Sequence, residues 1–192
     1  MHRNNHPPRR TVWWMAWTVS LAVVSAAAGA NLTWTNATSF GVYSDASNWS
    51  PIGVPGAATT DATIFTNDTS YTVNFTANST LATNYFNGHA GTVTLDITGF
   101  MWNLTNNANG TSTNALGAFV IGQALNTTAT VYLAGGTLAV TNSAATPAAN
   151  LLIGGQGVGT FFVTNGAVVA NQTKLGSTPT VLGKLVLSGS GA

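Results

Sequence analysis

Beyond the first thirty residues only seven side chains can carry charge near neutral pH: Asp45, Asp61, Asp68, Asp96, His89, Lys174 and Lys184. That inventory decides what chemistry is open to the chain. Glycoside hydrolysis takes two carboxyl groups held roughly 5 to 10 Å apart across the scissile bond. There is no Glu, and the four Asp are scattered, with Asp61 and Asp68 the closest pair. Beside Thr and Asn, these two read as hydrogen-bond acceptors in turns and at strand edges. Lyase chemistry needs a base such as Lys or Arg near a bound cation, yet no Arg follows residue 10 and both Lys lie near the C-terminal end, far from the Asp. His89 stands in a Gly88-His89-Ala90-Gly91 turn with no partner nearby in sequence, the pattern of a surface histidine. With no Cys, neither a disulfide framework nor a thiolate metal site is available. Gly154-Gly155-Gln156-Gly157-Val158-Gly159 looks like a calcium-binding nonapeptide or a phosphate loop, but the first lacks its Asp and the second its Lys and helix. These are turn glycines. The expectation is a chain with no catalytic, cofactor-binding or metal-ligating residues, hence not an enzyme.

Composition agrees with a non-catalytic role. Charged residues make up 5% of the chain, against about a quarter in an ordinary globular domain. Polarity is supplied instead by Asn, Thr and Ser, while an apolar fraction of 45% argues for a folded chain. Arg3, Arg9 and Arg10 all lie in the first ten residues, so the remainder carries two Lys against four Asp, a net charge of −2. Without a basic patch to contact phosphates, nucleic acid is excluded as a partner.

The elements that must position any site begin after a leader. Residues 1 to 10 form a basic segment, Val12 to Val24 an apolar run, and Ala28-Gly29-Ala30 a small-x-small pattern. Together these predict a signal peptide over 1–30, cleaved before Asn31. The rival reading is an uncleaved membrane anchor, since Thr11 to Ala30 is about the length that spans a bilayer. Either way the rest is exported. No second apolar stretch of membrane length follows, and no strands carry the aromatic girdles of a membrane barrel.

The exported part repeats. Gly91-Thr92-Val93-Thr94-Leu95, Ala129-Thr130-Val131-Tyr132-Leu133, Gly159-Thr160-Phe161-Phe162-Val163 and Gly183-Lys184-Leu185-Val186-Leu187 share one template. Val120-Ile121-Gly122, Leu152-Ile153-Gly154 and Lys174-Leu175-Gly176 form a second column ahead of the last three. Gly136-Thr137-Leu138-Ala139-Val140 and Gly166-Ala167-Val168-Val169-Ala170 form a third. Three short strands per repeat, parted by Gly- or Asn-rich corners, predict an all-β, right-handed parallel β-helix with about three strands per coil. Alternation places Val131 and Leu133, Phe161 and Val163, and Leu185 and Leu187 inward, with equivalent positions stacked between coils. An insertion is expected to bulge out over Asn142 to Asn150. The alternative is a β-sandwich, which gives no reason for the same anchors to recur in order. By domain, 31–88 is expected to cap or begin the stack and 89–192 to form the solenoid repeats. The chain stops in mid-pattern at Ser188-Gly189-Ser190-Gly191-Ala192, as a truncated product would.

Asn48-Trp49-Ser50-Pro51-Ile52-Gly53-Val54-Pro55-Gly56, then Asp61-Ala62-Thr63-Ile64-Phe65, resembles the opening of exported bacterial proteins with autotransporter-associated β-strand repeats, many of which carry a PEP-CTERM sorting signal. Gly157-Val158-Gly159-Thr160-Phe161-Phe162-Val163-Thr164-Asn165-Gly166-Ala167 is similar to their repeats. The resemblance implies a right-handed parallel β-helix at, or released from, the bacterial cell surface, serving as a stalk, adhesin or coat component. It carries over no catalytic residues. Neither a C-terminal membrane barrel nor a Pro-Glu-Pro tail is present, so contact with a membrane is expected only through the leader or a missing C-terminal anchor.

Aromatic side chains are the candidates for ligand contact. Tyr132 and Phe162 occupy equivalent outward positions, and with Trp34, Trp49 and Trp102 they suggest a sticky ladder for sugar rings or a protein. Expected partners are surface glycans, other cells or the chain itself. Ten Asn-x-Ser/Thr sequons, among them Asn31, Asn74 and Asn126, follow from an Asn- and Thr-rich composition. The expected function is a secreted or cell-surface structural or adhesive protein. The alternative is a carbohydrate-binding module or a degenerate polysaccharide-active β-helix.

Overall fold

The computed structural model describes residues 29–106, 117–142 and 148–189. The expected leader up to Ala28, and the middle of the expected 142–150 bulge, lie outside the described residues. The chain is all-β. Its strands are β1 (Asn31–Trp34), β2 (Phe40–Val42), β3 (Trp49–Ser50), β4 (Ala62–Phe65), β5 (Tyr71–Asn74), β6 (Ser79–Leu81), β7 (Thr83–Phe86) and β8 (Val93–Leu104). They continue with β9 (Phe119–Ile121), β10 (Thr128–Val140), β11 (Leu151–Ile153), β12 (Val158–Val163), β13 (Ala167–Ala170), β14 (Thr173–Leu175) and β15 (Gly183–Leu187). Among the described residues the only helical turn is the 3-10 segment Ala46–Asn48, and no helix is long and apolar enough to cross a membrane.

Strands near in sequence go to different sheets. One sheet runs β14-β11-β9-β7-β4-β1-β3 and the other β15-β12-β10-β8-β5-β2, with β13 on β10 and β6 on β8. The long strands β8 and β10 pair along both halves, with register shifts between Leu133 and Thr137. Their first halves extend the β5 and β12 ladder, and their second halves pair with β6 and β13. The result is three ladders, each adding strands in chain order apart from β3, which flanks β1 at the edge of the first.

Pairing is parallel except for β3, which lies antiparallel to β1 with Trp34 opposite Trp49. This departs from the all-parallel expectation. The cause is local: Asp45 accepts from the Ser47 amide and hydroxyl and caps the short helical turn, which reverses the chain. Asn48 then clips the return, donating to the Val42 carbonyl at 2.8 Å and accepting from Asn36 at 2.9 Å.

The register aligns the columns read from sequence. Tyr71, Val93, Val131, Phe161 and Leu185 are successive partners, as are Ile121, Ile153 and Leu175. Alternation puts Val131, Phe161, Ile121 and Ile153 between the sheets, where they are fully buried. In the last strands Leu175 is exposed, and so is Leu187, which was expected to point inward, because no further strand of the described residues covers them. A run of aromatic contacts threads the same space: Phe65 to Phe86 at 4.9 Å, Phe86 to Phe119 at 5.3 Å, and Phe119 to Phe161 at 5.6 Å. One buried rung is polar, with the Thr63 hydroxyl donating to Asn84 Oδ1 at 2.7 Å.

Glycine is needed where one strand's turn lies against the next. Gly154 has φ +81, and a Cβ there would sit 2.7 Å from the Leu182 carbonyl oxygen. Gly122 repeats the arrangement at φ +71, 2.5 Å from the Val158 oxygen. This is why an aliphatic residue followed by Gly recurs in the second column.

Candidate functional site

The four carboxylates are each occupied by backbone. Asp45 holds the helical turn already described, and the Ser47 hydroxyl keeps its carboxyl below the usual value. Asp61 is buried, accepting from the amide of Ala30 at 2.9 Å on one oxygen and from those of Gly56 and Ala58 at 3.0 and 3.1 Å on the other. Asp68 accepts the His89 amide at 2.6 Å, the main cause of its lowered pKa, and its carboxylate lies 3.4 Å from His89 Nδ1. Asp96 accepts from the Thr98 amide at 3.1 Å. His89 thus has a partner that sequence reading missed, because Asp68 sits one rung away across the corner. Among the described residues no three His, Cys, Asp or Glu cluster to hold a metal.

Tyr132 and Phe162 are register partners on β10 and β12. Their rings stack at 4.4 Å and 9°. Each ring therefore covers one face of the other, and the column continues to Thr94 on one side and Val186 on the other. Sugar rings stack on free aromatic faces, so this pair offers a solvent-facing rim more than an open platform. Trp34, Trp49 and Trp102 do not join them. All three are 1% exposed or less, which corrects their assignment to an exposed ladder. Trp34 packs edge-on against Trp49 at 5.0 Å, and Trp49 Nε1 donates to the Tyr43 carbonyl at 2.8 Å. Indoles that find both an apolar cavity and, for Trp49, a carbonyl belong inside.

A second surface was not legible in the sequence. Tyr43, Ser44, Pro55, Thr76, Asn78 and Ser79 line a groove of about 390 Å³, between the loop before β4 and the loop between β5 and β6. The Ser44 and Thr76 hydroxyls meet at 2.9 Å along it, and Asn78 Oδ1 accepts from the Met101 amide at 2.8 Å. Tyr43 stacks on Phe75 at 4.1 Å. Its buried hydroxyl lies near Ser79, Thr63 and Trp102 without a hydrogen bond of normal geometry, and burial raises its pKa. The lining holds hydroxyls, an amide and short apolar surfaces, with no carboxylate, imidazole or amine. It suits an uncharged polar ligand and offers no acid, base or activated nucleophile. The residues come from segments some thirty positions apart that match no repeat template, so periodicity gives no sign of them.

Comparison of the chain with protein-family models, with curated proteins and with solved structures yields no match.

Proposed function

We propose that this chain is an exported bacterial protein of the cell surface or surroundings, a right-handed parallel β-solenoid of about three strands per coil that acts as a structural or adhesive element without catalysis. The observation that carries the reading is the three ladders, which apart from β3 add strands in chain order with parallel pairing. A β-sandwich pairs its strands antiparallel; a repetitive coil is the economical way to give every rung a parallel neighbour. The engagement of all four Asp with backbone amides favours structure over hydrolysis. The likeness of Asn48 to Gly56 and of Gly157 to Ala167 to autotransporter-associated repeats supports display outside the cell, as do the basic and apolar features of the first thirty residues.

The test is fractionation of a bacterium producing the full chain with a C-terminal tag. Export predicts tagged protein outside the inner membrane, shortened at its N-terminus. Full-length protein confined to the cytoplasm refutes it.

A second reading, a carbohydrate-binding module, is favoured by the groove at Tyr43. Its charge-free lining fits a neutral saccharide. Calorimetric titration with neutral oligosaccharides should show binding that Asn78→Ala and Ser44→Ala weaken; heats indistinguishable from buffer across a panel would reject this role for the groove.

A further inference from the structure

We infer that the leader is removed between Ala28 and Gly29, so that Gly29 and Ala30 remain as part of the folded protein. The inference rests on the exported reading above and concerns where processing occurs. Residues 25–30 are all small, so several small-x-small triplets overlap there, among them Ala26-Ala27-Ala28 before Gly29 and Ala28-Gly29-Ala30 before Asn31. Local sequence does not rank them, but the fold does.

Ala30 is tied down at both ends. Its amide donates to Asp61 Oδ1 at 2.9 Å, and its carbonyl accepts from the Ala62 amide at 2.8 Å, at the head of β4. Its side chain packs on the core. Gly29 lies against Thr60 so closely that a Cβ would overlap the Thr60 carbonyl oxygen, which leaves room for glycine alone. Asp61 is 3% exposed, and Ala30 supplies the one amide that reaches its Oδ1. A cut after Ala30 would strip that donor from a buried carboxylate and leave the Ala62 amide without its acceptor. Both losses are costly where water does not replace them.

A cut after Ala28 keeps both bonds. Signal peptidase adds water across the Ala28–Gly29 amide, leaving a carboxylate on Ala28 and an ammonium on Gly29. That ammonium then stands one residue from the Asp61 carboxylate, an attraction the precursor lacks. The Asp61 site also orders the Gly56 and Ala58 loop, so processing and the shape of the adjacent groove are linked.

The experiment is N-terminal sequencing and intact mass of the exported product of the full-length gene. A chain beginning at Gly29 is expected. A chain beginning at Asn31 overturns this inference while leaving export intact; a leader retained in the cytoplasm overturns both. A second measurement uses Ala28→Val, which blocks the upstream cut by enlarging its last residue and redirects processing to Asn31. That product should melt about 5 °C lower than the Gly29 form, and the gap should narrow, without closing, in an Asp61→Ala background, since the Ala62 amide still lacks the Ala30 carbonyl there. Equal melting temperatures with Asp61 intact would overturn the structural argument.

Discussion

Phe161 and Phe162 are neighbours in sequence with opposite fates, and replacing each by alanine tests the alternation on which the architecture rests. Phe161 is fully buried between Val131 and Leu185 in its column, with its ring 5.6 Å from Phe119. Truncating a core Phe to Ala costs about 3–5 kcal/mol, through lost transfer energy and the cavity left behind. At about 2–4 °C per kcal/mol for a chain of this size, the melting temperature should fall by roughly 10 °C. Phe162 faces outward and keeps part of its ring in water, so its loss removes the stacking on Tyr132, about 0.5–1.5 kcal/mol, and a fraction of the burial. A fall of about 4 °C is expected. Urea unfolding followed by far-ultraviolet circular dichroism gives both values, and the slope with denaturant should be unchanged. If Phe162→Ala proves as damaging as Phe161→Ala, the inward and outward faces have been assigned the wrong way round.

Glycine substitutions separate backbone conformation from crowding: Gly99 has φ +82 with nothing within 4 Å of a Cβ, whereas Gly154 has φ +81 and the Leu182 oxygen at 2.7 Å. Gly99→Ala should cost about 1 kcal/mol and Gly154→Ala about 3 kcal/mol; equal losses in chemical denaturation would show that the second column does not need its close approach. In acid, the lowered pKa of Asp68 makes its support complete above the ordinary aspartate value of 3.8 and lost as pH falls through the lower folded-state value. Asp68→Asn should accordingly flatten the fall in stability below about pH 4, and an unchanged acid profile would count against the His89 contact. In alkali the sign reverses: burial raises the pKa of Tyr43 and Tyr71, so stability holds below the ordinary value of 10.0 and drops as pH rises beyond it. Ultraviolet titration should show these two phenols ionising only as ellipticity is lost; reversible ionisation in the folded protein would contradict their burial.

What was legible in the sequence is what repeats. Val131, Phe161 and Leu185 could be aligned because each follows the same small residue and polar residue, and strand pairing converts that shared position into adjacency. Ile121, Ile153 and Leu175 were legible because a glycine with positive φ must follow each. Trp34, Trp49 and Trp102 were misread since an indole in a weakly repeating segment carries no mark of its face, and the antiparallel turn back that buries Trp49 depends on Asp45, Asn48 and Asn36 acting together. Asp61 read correctly as a backbone acceptor, but that it reaches back to Ala30 follows from tertiary placement alone. The groove at Tyr43 was invisible for the same reason: its walls are two loops that no period relates.

Because strands join each ladder in chain order, the hydrogen bonds between rungs point along the direction in which the ladders grow. Tension between the two ends of such a chain would pull those bonds lengthwise and act first on an outermost strand, such as β15 on β12. Freeing β15 from β12, and then β14 from β11 and β13 from β10, releases the chain from Phe161 to Leu185, a step of twenty-four positions and roughly 80 Å when extended, before the next rung takes the load. The protein would lengthen in steps under a steady pull, dissipating work at each one, and could re-form rung by rung when the load is removed.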